Sequence, residues 1–329
     1  MSSKRTTAML ELHRIYEEFH PPVKTRFEDE VKRYWGKPWG VNTEVGRLRM
    51  VMLHKPGEEM KSVQPPLEKW RYTEMPSLEE MQRHHMNLVK AFKDEGVEVA
   101  IRQPEKNKPP RLVKSIYTRD PSFAIKGGVI VGRMYDALRR GEELPTMQTL
   151  TELGCPVHVV HGTGMIEGGS VMWLDPEHLA IGLSHRVNEE GARQVAEIVK
   201  TASPEVEVKA VPIMDGHIDG FICMLDRHLA AVAQRGLPYS FKEFLRDELK
   251  MNIISIPPGF YAAGVCVRPG RMLVSAAREE EDKKVLRMME KNGVETIEVE
   301  LDSLVEPRNS GSIHCLTMPI IRDKEPKGL

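Results

Sequence analysis

Short stretches in which apolar and polar residues alternate recur along the chain, each placed after a helical stretch. They cover residues 96–101 (GVEVAI), 154–160 (GCPVHVV), 205–211 (EVEVKAV), 251–256 (MNIISI) and 293–299 (GVETIEV). Three of them open on glycine, the residue suited to a helix C-terminus. The helices ahead of them carry their own signals. Ser77 with Glu80 reads as a capping box, followed by an apolar face of Leu78, Met81, Leu88, Val89 and Phe92. Ser240 with Glu243 repeats the box ahead of Phe244, Leu245 and Leu249. Asn188 is placed to cap a helix bearing Ala192, Val195, Ile198 and Val199, and the last helix carries Val285, Leu286 and Met289. The units recur at intervals of roughly 40 to 60 residues, the range of propellers and solenoids. An ordinary α/β alternation has the same short helix-to-strand junctions, so periodicity alone leaves both open.

Two segments stand outside the repeat. Residues 1–36 read as a charged helical extension with a break at Pro21-Pro22, and the tail 324–329 is predicted to fray. No linker divides residues 37–329, which are expected to form one catalytic domain.

Composition narrows the function. The 329 residues are 40% hydrophobic, with 47 basic against 48 acidic side chains and a net charge of −1. That balance offers no electrostatic footprint for nucleic acid or an anionic membrane. No apolar run is long enough to span a bilayer, and the first residues lack a secretory h-region, so a cytoplasmic location is expected. The four cysteines, Cys155, Cys223, Cys266 and Cys315, are far apart, which argues against a zinc knuckle or a disulfide framework. The first three are expected to be buried structural thiols.

Polar motifs follow the repeated strands: Thr118-Arg119-Asp120-Pro121, then Glu167-Gly168-Gly169-Ser170, His217-Ile218-Asp219 and Ser312-Ile313-His314-Cys315. Singly, each has a structural reading as turn, cap or core. Together, one thiol, one imidazole and three carboxylates follow equivalent strands, and units arranged around an axis would bring them to one point. The set suits a guanidinium, a flat and permanently charged cation that binds to carboxylates away from water. Its resonance-stabilised carbon needs a thiolate to attack it and a proton donor for the departing nitrogen. A cysteine beside a histidine and a bound cation is expected to have a depressed pKa.

At these residues the sequence resembles the guanidino-group modifying superfamily of arginine deiminases, dimethylargininases and amidinotransferases. The resemblance runs in order from about residue 39 onward. It begins with Gly40-Val41-Asn42-Thr43-Glu44 and His54-Lys55-Pro56-Gly57, passes through the motifs above, and ends at Cys315-Leu316-Thr317-Met318-Pro319. It implies a five-bladed α/β propeller of ββαβ units, the pentein fold, with the site on a pseudo-fivefold axis. It also implies roles. Cys315 would be the nucleophile, and His217 the general acid and then the base. Asp120 and Asp219 would clamp the guanidinium, with Glu167 orienting His217. Arg186 would grip the substrate carboxylate, with Arg139 or Arg140 as a second contact and Asn42 lining the pocket. No metal or organic cofactor is implied. The partner would be a small guanidino compound, with self-association left open.

The leading expectation is an arginine deiminase-like hydrolase giving citrulline and ammonia. Three departures shape the alternatives. Only about 60 residues separate Pro56 from Tyr117, so the helical insertion of long bacterial deiminases is absent. Ser170 stands where many hydrolase members have aspartate. His314 precedes the cysteine, as histidine does in amidinotransferases, which keeps transfer to an acceptor amine in view. The aspartate of the His217-Ile218-Asp219 motif suits an unsubstituted guanidinium better than the methylated group of a dimethylargininase substrate. An arginine dihydrolase and an inactive arginine-binding module complete the alternatives.

Overall fold

All five alternating segments form strands, and in each case the strand is the outermost of a three-stranded sheet. The computed structural model describes residues 2–19, 25–106, 110–257, 264–277 and 279–326. Its strands are β1 (Leu48–Leu53), β2 (Glu98–Ile101), β3 (Ser122–Ile125), β4 (Gly128–Val131), β5 (Val157–Val159), β6 (Val171–Asp175), β7 (His178–Leu183) and β8 (Glu207–Pro212). They continue with β9 (Ile222–Asp226), β10 (Leu229–Ala233), β11 (Asn252–Ile256), β12 (Val265–Arg268), β13 (Arg271–Ser275), β14 (Glu295–Val299) and β15 (Met318–Arg322).

The sheets are β3-β4-β5, β6-β7-β8, β9-β10-β11, β12-β13-β14 and β15-β1-β2. In each, an antiparallel pair is extended by a parallel strand. The parallel step is bridged by a helix: α3 (Leu78–Asp94), α4 (Glu143–Glu152), α5 (Glu189–Ala202), α6 (Tyr239–Glu243) or α7 (Glu280–Lys291). This is a five-bladed propeller of ββαβ units. The fifth sheet joins the chain's ends, because β15 pairs antiparallel with β1 and completes the first blade.

Burial explains which strands the alternation reveals. The outer strands β2, β8 and β14 expose alternate or terminal residues, whereas every residue of β3, β4, β10 and β15 is buried. A strand covered on both faces reads as an unbroken apolar run with no period of two. Each such Leu, Ile or Val contributes about 1.5–3 kcal/mol by leaving water.

Helix ends follow the sequence in part. Ser77 accepts a hydrogen bond from the Glu80 N–H, and Asn188 from that of Gly191. The Glu80 carboxylate leaves the capping box and pairs with Arg308 at 2.6 Å. The second predicted box does not form: α6 begins at Tyr239 with Pro238 ahead of it, so Ser240 lies inside the helix, which passes into a π turn over Phe244–Glu248. Gly96, Gly154 and Gly293 adopt φ of 75°, 81° and 84° after their helices, a region costly for other residues.

The N-terminal extension forms α1 (Ser2–Phe19) and α2 (Phe27–Trp35); Pro21-Pro22 lies outside the described residues. Val31 of α2 packs with Trp39 and Phe123 against the second blade, and Glu28 reaches Ser203 Oγ at 2.7 Å. The expected fraying of the tail is corrected over residues 324–326. Asn42 clamps the backbone of Glu325 from both ends of its amide, and Arg227 pairs with the Glu325 carboxylate at 2.6 Å. No helix among the described residues is long and apolar enough to cross a membrane.

Candidate active site

Each sequence motif ends where an inner strand begins. Asp120 lies two residues ahead of β3, His217 and Asp219 precede β9, Glu167 precedes β6, and Cys315 precedes β15. Corresponding positions in successive blades face the same axis, so four loops deliver their side chains to one place. The loops are also tied to each other. Arg119 N–H donates to the Cys315 carbonyl at 3.1 Å, and Gly168 N–H to the Asp120 carbonyl at 2.6 Å. The Thr118 hydroxyl lies 2.9 Å from Met52 O and 3.0 Å from Leu316 O.

A cavity of about 450 Å³ opens above these loops, and Cys315, His217, Asp120, Asp219, Arg139 and Arg186 all line it. Glu167 is fully buried behind His217, its Oε2 2.7 Å from the ring Nε2, and the same oxygen receives Arg186 Nη1 at 2.9 Å. His217 Nδ1 faces Asp120 Oδ1 at 3.6 Å. The imidazole rests on Gly169, where a Cβ would come within 2.6 Å of Nδ1. The glycine pair is therefore a seat for the histidine as well as a turn. Asp219 Oδ2 lies 2.8 Å from His314 Nδ1. Arg139 is buried and holds both the Asp120 and the Glu142 carboxylates, and its remaining donor reaches Tyr117 O at 3.1 Å.

The charge states follow from these partners. Burial disfavours an imidazolium at His217, but the Asp120 charge and the Glu167 hydrogen bond outweigh it and raise the pKa above the ordinary histidine value. Burial also disfavours the Glu167 carboxylate, yet His217, Arg186 and Arg139 hold it well below the usual range. Asp219 is lowered likewise, burial being outweighed by His314. At Cys315, burial, and then the Asp219 and Asp120 charges, push the pKa far up, so the thiol is protonated while the cavity holds no cation. The expected depression is that of a cysteine beside both a histidine and a bound cation, and the cation is what would offset the two carboxylates. Cys155, Cys223 and Cys266 are buried free thiols raised by burial, in keeping with a structural role.

The structure separates the remaining candidates. Arg186 lines the cavity but is already engaged by Glu167. Arg140 does not reach the cavity: its Nε donates to Met134 O at 3.0 Å and its Nη2 lies 3.7 Å from Met165 Sδ. Asn42 is spent on the Glu325 backbone and does not line the pocket either. Sequence reasoning passed over Lys114, Tyr117 and Arg71, which complete the cavity wall, and Ser312, whose Oγ is 3.6 Å from Cys315 Sγ. The loop that bears Lys114 and Tyr117 carries no motif beyond Asp120. His314 was visible as a departure, but its contact with Asp219 needed the fold.

Five blades around a central cavity, with this ring of carboxylates, imidazole and thiol, define the guanidino-group modifying superfamily. Residues 67–322 match the family model described as N,N dimethylarginine dimethylhydrolase, eukaryotic, and the chain belongs to that family. It is 22% identical to an arginine deiminase of Staphylococcus aureus, over 87% of this chain and 98% of that one. Its fold is similar to that of a cysteine-to-serine mutant of the dimethylarginine dimethylaminohydrolase of Pseudomonas aeruginosa complexed with citrulline. That match has a TM-score of 0.67 at 19% identity, over 83% of this chain and 99% of the other. It is also similar to the inosamine-phosphate amidinotransferase of Streptomyces griseus, with a TM-score of 0.65 at 17% identity, over 86% and 97% of the chains.

Proposed function

We propose that the protein hydrolyses the guanidino C–N bond of a small arginine-type compound through a covalent intermediate on Cys315, giving a ureido product and ammonia or a small amine. The observation that carries this is the shared cavity wall: a thiol, a histidine whose charged form Asp120 and Glu167 favour, and a second carboxylate, Asp219, face one space.

The guanidinium enters between Asp120 and Asp219. Its positive charge offsets the two carboxylates that keep Cys315 protonated, and the thiol proton leaves to solvent. The cysteine is thus activated by the substrate it attacks. The thiolate adds to the guanidinium carbon, and the His217 imidazolium gives its proton to the departing nitrogen, which leaves as ammonia or an amine. An amidinium thioether remains on sulfur. Neutral His217 then takes a proton from water as the water adds to the same carbon, and collapse of this adduct expels the thiolate and the ureido product. Glu167 steadies the imidazolium in both halves, and the two aspartates hold the carbon in reach of sulfur.

A second reading has its own observation. His314, beside the nucleophile, is the residue that aligned this sequence with amidinotransferases, and here it holds Asp219. In that reading an acceptor amine replaces water in the second half.

The test is product analysis and intact-mass spectrometry with L-arginine and its N-methylated forms, with Cys315→Ser alongside. Ureido product from the wild type and none from the variant supports the hydrolase. An adduct of amidino mass that clears only when an acceptor amine is added supports the transferase. If no guanidine yields an adduct or product, the reading is overturned.

A further inference from the structure

The cavity wall contains a buried lysine that the chemistry above does not use. Lys114 is 1% exposed and lines the same cavity as Cys315. Its Nζ donates to the Arg71 carbonyl at 2.8 Å and to Asn309 Oδ1 at 2.6 Å, and stands 3.5 Å from the centre of the Tyr72 ring. Both oxygen partners are neutral. Among the described residues no carboxylate comes within ion-pair distance of it. Burial and the neighbouring Arg139 and Arg71 push its pKa down to about 6. An ammonium taken out of water without a counter-ion is costly, and a ligand that supplies the missing anion recovers that cost.

The other charges around the cavity are committed. Arg139 is engaged by Asp120 and Glu142, and Arg186 by Glu167. Arg71 sits at the cavity wall with its guanidinium on Asp136. Its backbone takes φ 55°, unusual for a residue with a side chain, which brings its carbonyl to Lys114. The carboxylates available to a substrate ammonium are few. Asp215 faces His185 at 3.2 Å, and Glu306 is pushed toward its neutral form by loss of hydration.

We infer that the tail of the substrate is anionic rather than zwitterionic: the cavity takes an ω-guanidino acid whose tail bears a carboxylate but no free ammonium, with Lys114 as the specificity-determining residue. A carboxylate at this end of the cavity supplies Lys114 with the anion it lacks, while an α-ammonium there adds a second positive charge beside Lys114 and Arg71, whose own carboxylate partner is already engaged. The guanidinium end is held by Asp120 and Asp219, so the two ends of the molecule are sorted by charge. This inference rests on the guanidino reading of the Cys315 end.

The experiment compares three ligands that share a guanidine and differ in the tail: 5-guanidinopentanoate (carboxylate alone), L-arginine (carboxylate and ammonium) and agmatine (ammonium alone). Turnover is measured on the wild type and Lys114→Gln, and calorimetric affinity on Cys315→Ser with and without Lys114→Gln. We expect kcat/KM and affinity to favour 5-guanidinopentanoate over arginine by at least tenfold, with agmatine weakest. Lys114→Gln, checked for an intact thermal transition, is expected to bring the first two within about threefold of each other. Preference of the wild type for arginine or agmatine, or an unchanged ratio in Lys114→Gln, overturns the inference, as does failure of all three to bind. Binding in the expected order without turnover supports the tail assignment and defeats the hydrolase reading instead, so the two failures are distinguishable.

Discussion

His314 Nδ1 stands 2.8 Å from Asp219 Oδ2, so the residue beside Cys315 grips a carboxylate that lines the cavity. Both are buried, and Glu44 lies behind the ring, 4.0 Å from His314 Nε2. The contact engages one Asp219 oxygen and fixes the direction of the other, the one that would meet the guanidinium on the proposed mechanism. A hydrogen bond to a charged group is worth about 1.5–3 kcal/mol. His314→Ala is therefore expected to lower kcat/KM by roughly 10- to 100-fold. His314→Asn, which can still donate to Asp219, is expected to recover part of the loss. Steady-state kinetics on the two variants checks this; equal loss in both would show that the ring acts only as filler.

The raised Cys315 pKa predicts a quiet thiol. Alkylation by iodoacetamide at pH 7–8 is expected to be slow in the free protein. Asp219→Asn and Asp120→Asn each remove a charge that holds the proton on sulfur, and each is expected to speed alkylation severalfold while lowering turnover. The rate of adduct formation followed by mass spectrometry distinguishes this from a thiol that is already ionised.

On the proposed mechanism His217 carries the pH dependence of the leaving-group step. Its pKa in the fold is raised by Asp120 and Glu167, so turnover is expected to fall as pH climbs through that raised value. The same shift bears on stability. The contribution is complete below the ordinary histidine pKa of ~6.5 and is lost as pH rises through the folded value. Glu167→Gln withdraws one of the causes, so the alkaline limb of the rate profile is expected to move to lower pH. An unmoved limb would assign it to another group.

Gly169 has no room for a methyl group. A Cβ there would lie 2.6 Å from His217 Nδ1 and 3.0 Å from Asp120 Oδ1. Gly169→Ala is expected to displace the imidazole and cost about 1–3 kcal/mol by overpacking. Activity should fall much further than the melting temperature does, which paired kinetic and thermal measurements would reveal.

Arg139 is the fold's own counter-ion at this site. Removing it strands the buried Asp120 and Glu142 carboxylates. Arg139→Ala is expected to lose about 3–5 kcal/mol, the range for breaking a buried pair from one side. Chemical denaturation reads this directly.

Much of the architecture was legible because the outer strands carry a period of two and follow capped or glycine-stopped helices. The inner hairpins were not, since a strand such as Ser122–Ile125 is buried throughout and has no polar beat to betray it. The motif residues Asp120, Glu167, His217, Asp219 and Cys315 reached the site because each lies at the same point of its blade. Asn42 and Arg140 misled for one reason: both are polar residues near site segments, and only tertiary partners decide that their hydrogen bonds are spent elsewhere. The second capping box failed because Pro238 starts the helix earlier than Ser240 can. Lys114 carried no signal at all, because its meaning comes from the carboxylate it lacks.

The strand that seals the ring follows closely on Cys315, the proposed nucleophile. Cys315 lies just ahead of β15, whose partner β1 was made near the start of the chain. During synthesis, then, the first four sheets can assemble with a carboxylate-lined hollow already in place and no thiol in it. On the proposed mechanism, chemistry begins only when the last segment threads home against the first. A chain cut short before residue 315 is expected to be an inert receptacle, and a chain that closes is armed by the act of closing.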